Sequence, residues 1–227
     1  MCKLTQKLAL FNYMIDKWTE EQVKIGTDNH ELPKDEVILF EKKNTAIQKF
    51  STTRFMKLAY FTCLESARRE NEKAKNGDIQ IEETLFYHFN NWVAYTNGGV
   101  EQDIYNHKEQ MKTISKNEKF QYKLDENNNL KDELTRIIEK DNLSKYTKMI
   151  DDSIKSLIND EDGKSIPFDA DDDIGKLIWL AHGELWNIAQ WAENKEMFVN
   201  VPYFLQKELD KFKENKKHLT VNYKLAA

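Results

Sequence analysis

Glycine and proline are scarce in this sequence. Seven glycines and three prolines among 227 residues amount to about a third of average usage. Sandwiches and barrels reverse direction often, and their tight turns draw on these two residues. The shortage therefore argues against an all-β fold and for helices. Cysteine is nearly absent too: Cys2 and Cys63 alone exclude a disulfide scaffold and a cysteine-rich zinc module. The longest unbroken apolar run covers residues 177–181, far short of the ~20 residues that span a bilayer. The first residues lack the apolar stretch and cleavage site of a secretory signal, so the expected location is the cytoplasm. Positive charge is not in excess. A formal charge of −5 offers nothing global to nucleic acid or an anionic membrane.

What is present is enough for a core. Hydrophobic residues make up 40% and aromatics 11%, which argues against global disorder despite a charged fraction of 32%. The charge is uneven along the chain. Residues 159–173 hold seven acids against Lys164, and residues 205–224 hold six lysines against three acids. A solvated loop and a solvated helix face account for both; a charged docking surface is the sharper alternative.

Leu4, Leu8, Phe11, Ile15 and Trp18 recur at helical spacing and predict an amphipathic helix over about residues 3–24. Gly26 with Asp28-Asn29 stops it. Residues 35–48 fit either a strand or a helix. Ser51-Thr52-Thr53 offers hydroxyl caps for a helix over about 52–70. Its residues Phe55, Met56, Leu58, Ala59, Tyr60, Phe61, Cys63 and Leu64 cover almost the whole circumference, interrupted by Lys57 and Thr62. A helix apolar all round is buried all round, which makes this the expected central helix, with Cys63 a small core residue. Asn97-Gly98-Gly99 must be a sharp backbone feature. Helices are expected over residues 100–114, near 130–138, over 146–158, and over 174–192, where Trp179, His182 and Trp186 oppose an apolar face. A basic helix carrying Phe204, Leu205, Leu209 and Phe212 closes the chain. The expected class is mainly α: a single-domain helical bundle around the 52–70 helix, with one small extended element near 79–95. Its expected parts are an N-terminal helical arm (1–50), a helical domain (51–192) and a C-terminal basic helix packed on it (193–227).

Chemical motifs fail one by one. Asp169, Asp171 and Asp173 begin like a calcium loop, but the glycine and bidentate glutamate that such a loop requires are Ile174 and Leu180 here. Asp125, Asn127 and Asn129 fail in the same way, at Leu130 and Arg136. His182-Gly183-Glu184 matches the H-x-E of zinc deaminases without the P-C-x-x-C that holds their zinc. His30, His88, His107, His182 and His218 are scattered. No catalytic residue, metal or cofactor is expected.

Three segments together resemble a known family. Thr53-Arg54-Phe55-Met56-Lys57-Leu58-Ala59-Tyr60-Phe61 is similar to the "LQKLLYFA" helix of Panacea-domain proteins, the SocA-like antitoxins. Phe89-Asn90-Asn91-Trp92, then Gly98-Gly99-Val100 and Asp103-Ile104-Tyr105, resemble that family's "F.AW..GPV...LY" segment, with Gly99 where the family has proline. Residues 178–186 resemble its "L..LTH.E..W" helix through His182, Glu184 and Trp186. Order and spacing agree across about residues 51–190. Residues before about 50, and from Glu193 onward, find no counterpart.

The resemblance implies a bacterial or phage antitoxin that binds and neutralises a separately encoded toxin, or an adaptor that hands the toxin to a protease. A protease or chaperone is then a further partner. Lys57, Tyr60, Phe61, Trp92, Gly98, Gly99, Val100, Tyr105, His182, Glu184 and Trp186 carry the resemblance, and most are expected to be structural. Two other classes stay open: a DNA-binding regulator using about residues 203–217, against which Glu208, Asp210 and Glu214 weigh, and an enzyme with a dispersed site around His182 and Glu184.

Overall fold

The computed structural model describes residues 4–27, 29–73, 79–95, 98–107, 133–159, 165–183, 186–187, 197–199 and 201–224. The chain is mainly helical. Among the described residues its α-helices are α1 (Leu4–Ile25), α2 (Glu36–Ile47), α3 (Thr52–Lys73), α4 (Gln102–Asn106), α5 (Glu133–Lys140), α6 (Ser144–Ile158), α7 (Ile174–Leu180) and α8 (Val201–Lys224). One small antiparallel sheet has the order β2-β1-β3, from β1 (Trp92–Tyr95), β2 (Gly98–Glu101) and β3 (Met197–Val199).

Local chemistry explains the element ends. Asp35 caps α2 by accepting the Val37 and Ile38 N–H groups at 2.9 and 3.0 Å, which decides for helix over strand at residues 35–48. Ser51 does the same for α3, its hydroxyl accepting the Arg54 N–H at 3.2 Å. From Phe55 to Ala67, α3 is buried without interruption, Lys57 and Thr62 included. Thr62 meets its burial by donating to the Leu58 carbonyl at 2.7 Å. The helix turns outward at Arg68-Arg69-Glu70, as its composition predicts.

Contacts group the chain into two compact units, 1–55 with 103–148 and 169–172, and 56–102 with 149–168 and 173–227. The first is organised by α1, which packs on α2 and α5. Leu8, Phe11, Met14, Ile15 and Trp18 form its buried stripe. Lys43 of α2 reaches Asp16 at 3.0 Å and Glu20 at 2.7 Å, and Lys7 pairs with Asp103 at 2.5 Å.

Residues 169–172 of the acidic loop belong to this unit and are anchored in it. Arg54 donates to the carbonyls of Asp169 and Asp172 at 2.5 and 2.6 Å. Gln22 donates to the Asp169 carboxylate at 3.0 Å and accepts the Ala170 N–H at 2.7 Å. Lys49 meets Asp171 at 3.2 Å.

Two expectations are corrected in the second unit. Val100 and Glu101, expected to begin a helix, instead belong with Gly98 and Gly99 to β2, paired with β1 in the register Tyr95↔Gly98 to Trp92↔Glu101, and only then does α4 begin. Two residues join the strands, and Gly98 sits at φ +89°, where a side chain is strained. The helix expected over 174–192 is broken after Leu180, with Ala181 as the cap of α7 and its N–H turned onto Leu177 and Ile178, and residues 186–187 are again helical. His182 therefore lies beyond α7 and not on its opposite face.

Candidate functional site

Lys57 and Tyr60 lie three residues apart on α3 and so share one side of it. The Lys57 amine, 1% exposed, donates to the Gly99 carbonyl at 3.0 Å. Burial alone holds its pKa down to about 7, because removal from water disfavours the charged form. The Tyr60 hydroxyl donates to Oε2 of Glu208 at 2.6 Å. Burial first, and then the negative charge of Glu208, push this phenol well above its ordinary range.

The start of β2 lies against these side chains. A Cβ on Gly98 would stand 3.2 Å from both Lys57 Nζ and the Ala181 carbonyl oxygen, and one on Gly99 would stand 3.5 Å from Trp92 and 3.8 Å from Tyr60. Trp92 meets Tyr60 edge-on, ring centres 5.1 Å apart, while its indole N–H donates to the Phe89 carbonyl at 2.8 Å. Five residues carrying the family resemblance, Lys57, Tyr60, Trp92, Gly98 and Gly99, thus form one knot, buried except at half-buried Gly99.

Phe61 adjoins it, its ring centre 6.1 Å from that of Tyr60. Phe61 stacks on Phe212 of α8 at 5.4 Å. Val100 pairs with Val93 in the sheet. His182 stacks on Trp186 at 3.8 Å and 9°, and its carbonyl accepts from Asn215 at 3.3 Å. Tyr105 belongs to the other compact unit, on α4, and is 44% exposed. Glu184 lies outside the described residues.

Sequence reasoning missed Glu208, Gly183 and Asn215. Glu208 and Asn215 fall on the same face of α8 as Leu205, Leu209 and Phe212, all of them buried, and polar residues on an apolar stripe at helical spacing were the readable signal. Gly183 is required by space. A Cβ there would collide with the Glu208 carboxylate, whose Cδ would be 2.7 Å away.

This arrangement is buried. Its amine and its phenol–carboxylate pair are sealed from solvent, and among the described residues no three His, Cys, Asp or Glu side chains gather as a metal-holding group. No described helix is long and apolar enough to cross a membrane. No family model, curated protein or solved structure matches the chain.

Proposed function

We propose that this chain is an antitoxin-like binding protein of a bacterial or phage toxin–antitoxin system, acting in the cytoplasm by direct contact with a separately encoded toxin. The observation that carries this reading is the knot. Lys57, Tyr60, Trp92, Gly98 and Gly99 come from separate motifs of the resemblance and meet through bonds and ring contacts. Residues used this way specify a scaffold and leave the surface free to suit a partner, in keeping with function residing in sites grafted on folds.

The surface offers material for such contact. Val37 is 67% exposed in one unit, and Trp179 is 40% exposed in the other. Tryptophan is among the favoured anchors of protein interfaces. The test is purification of the chain together with the product of the adjacent open reading frame. A stable complex that co-elutes and weakens on Trp179→Ala or Val37→Glu is expected. Separate elution of two folded proteins contradicts the reading.

A further inference from the structure

Val37 and Ile38 are the two most exposed large apolar side chains among the described residues, at 67% and 48%. Both stand on the first turn of α2, whose buried residues Lys43, Ala46 and Ile47 define its inward side. At 3.6 residues per turn, Glu41 falls between them on the outward side, four residues from Val37 and three from Ile38. Glu41 is exposed, and among the described residues no cation pairs with it. Its next helical neighbours on that side, Asn44 and Thr45, carry no charge. Lys42 lies beyond Ile38, on the side away from Val37, and Asp35 and Glu36 add exposed negative charge where the helix begins. The face is also fixed from behind. Asp35 caps the helix, and Lys43 ties it to Asp16 and Glu20 of α1, so a partner that binds there has little left to order.

We propose that this outward face of α2 is where the toxin docks, through a basic segment whose arginine or lysine lays its stem on Val37 and Ile38 and sets its charged head on Glu41. The proposal rests on the toxin-binding reading above. Charge complementarity selects this occupant. A long basic side chain has an apolar stem and a cationic end, and a carboxylate flanked by two exposed apolar side chains matches both parts. The same carboxylate disfavours the other occupants. Nucleic-acid phosphates and anionic membranes are repelled by it. A second copy docking through this face about a two-fold axis brings the two Glu41 carboxylates together, a like-charge contact that specific interfaces avoid.

The test is titration calorimetry of the full chain against the purified product of the adjacent open reading frame, at low and at raised salt. Glu41→Lys is expected to weaken binding by about tenfold or more. Glu41→Gln weakens it less and flattens its salt dependence, and Val37→Ser with Ile38→Ser weakens it at both salt concentrations. Asp210→Lys, an equal change of net charge at an exposed position of α8, leaves it nearly unchanged. All three α2 positions are exposed, so the variants are expected to fold; if the double serine variant does not, the two Glu41 variants decide. A complex as tight with every α2 variant as with the unmodified chain overturns this face and leaves the toxin-binding reading standing. Absence of any complex overturns both. Equal weakening by Glu41→Lys and Asp210→Lys overturns the face too, since net charge alone then accounts for the loss. Sedimentation of the chain by itself gives the last arm: a dimer that Val37→Ser dissolves assigns the face to a second copy and overturns the proposal.

Discussion

Tyr60 on α3 and Glu208 on α8 are joined by a 2.6 Å hydrogen bond, both nearly sealed from water. The bond spans 148 residues of sequence and ties the last helix to the most buried one. Tyr60→Phe keeps the ring against Trp92 and removes only the hydroxyl from a buried carboxylate. A loss of about 1–3 kcal/mol is expected, read as a lower urea midpoint at unchanged slope. An unchanged midpoint would show that the bond does not hold α8.

Gly183 faces the same carboxylate. Gly183→Ala is expected to destabilise the chain, because the new methyl occupies the place of the Glu208 side chain. In Glu208→Ala the same change becomes nearly neutral. A double-mutant cycle in urea measures this coupling, expected at about 1 kcal/mol or more; strict additivity would place the origin of the glycine elsewhere.

The two neighbouring glycines of β2 separate in behaviour. Gly98→Ala must adopt a positive φ, at a cost of about 1–2 kcal/mol, and also meets Lys57 and Ala181 at 3.2 Å. Gly99→Ala meets Trp92 and Tyr60 at ordinary contact distances and is expected to be neutral, or stabilising by about 0.4–1 kcal/mol. Thermal unfolding of the two variants side by side gives the order.

How much of this was legible follows from the range of the forces involved. The burial of α3 was written in its circumference of apolar residues, and the strain at Gly98 in its glycine pair. Cys63 sits in the core as its neighbours suggest. The break after α7 was not legible, because the periodic apolar residues continue past Ala181. β3 escaped notice for a related reason: three residues that pair with Trp92, Val93 and Ala94 carry too little pattern to announce a strand. The acidic loop showed its charge but not Arg54, which binds the carbonyls of Asp169 and Asp172.

That loop yields its own prediction. Arg54→Met removes both bonds to Asp169 and Asp172, and about 1–3 kcal/mol of stability with them. Limited proteolysis is expected to cut first within residues 169–172. Cleavage at the rate of the unaltered chain would mean that Gln22 and Lys49 suffice.

Stability is expected to depend on pH through Lys57. The amine is neutral in the folded chain above about 7 and charged in the unfolded chain up to 10.5. Unfolding therefore takes up a proton in this window, and stability rises with pH by at most roughly 1.4 kcal/mol per unit. Lys57→Met lacks this contribution, so its urea midpoint from pH 7 to 9 should follow a flatter line. Parallel lines would contradict a depressed amine.

The binding role is tested most directly by growth. The adjacent open reading frame is induced alone and with this chain, and colony-forming units are counted. Killing by the neighbour alone and recovery beside this chain, lost again in a folded variant that no longer co-elutes, is the predicted result. A neighbour that is harmless alone, or that kills equally in the presence of this chain, would contradict the account.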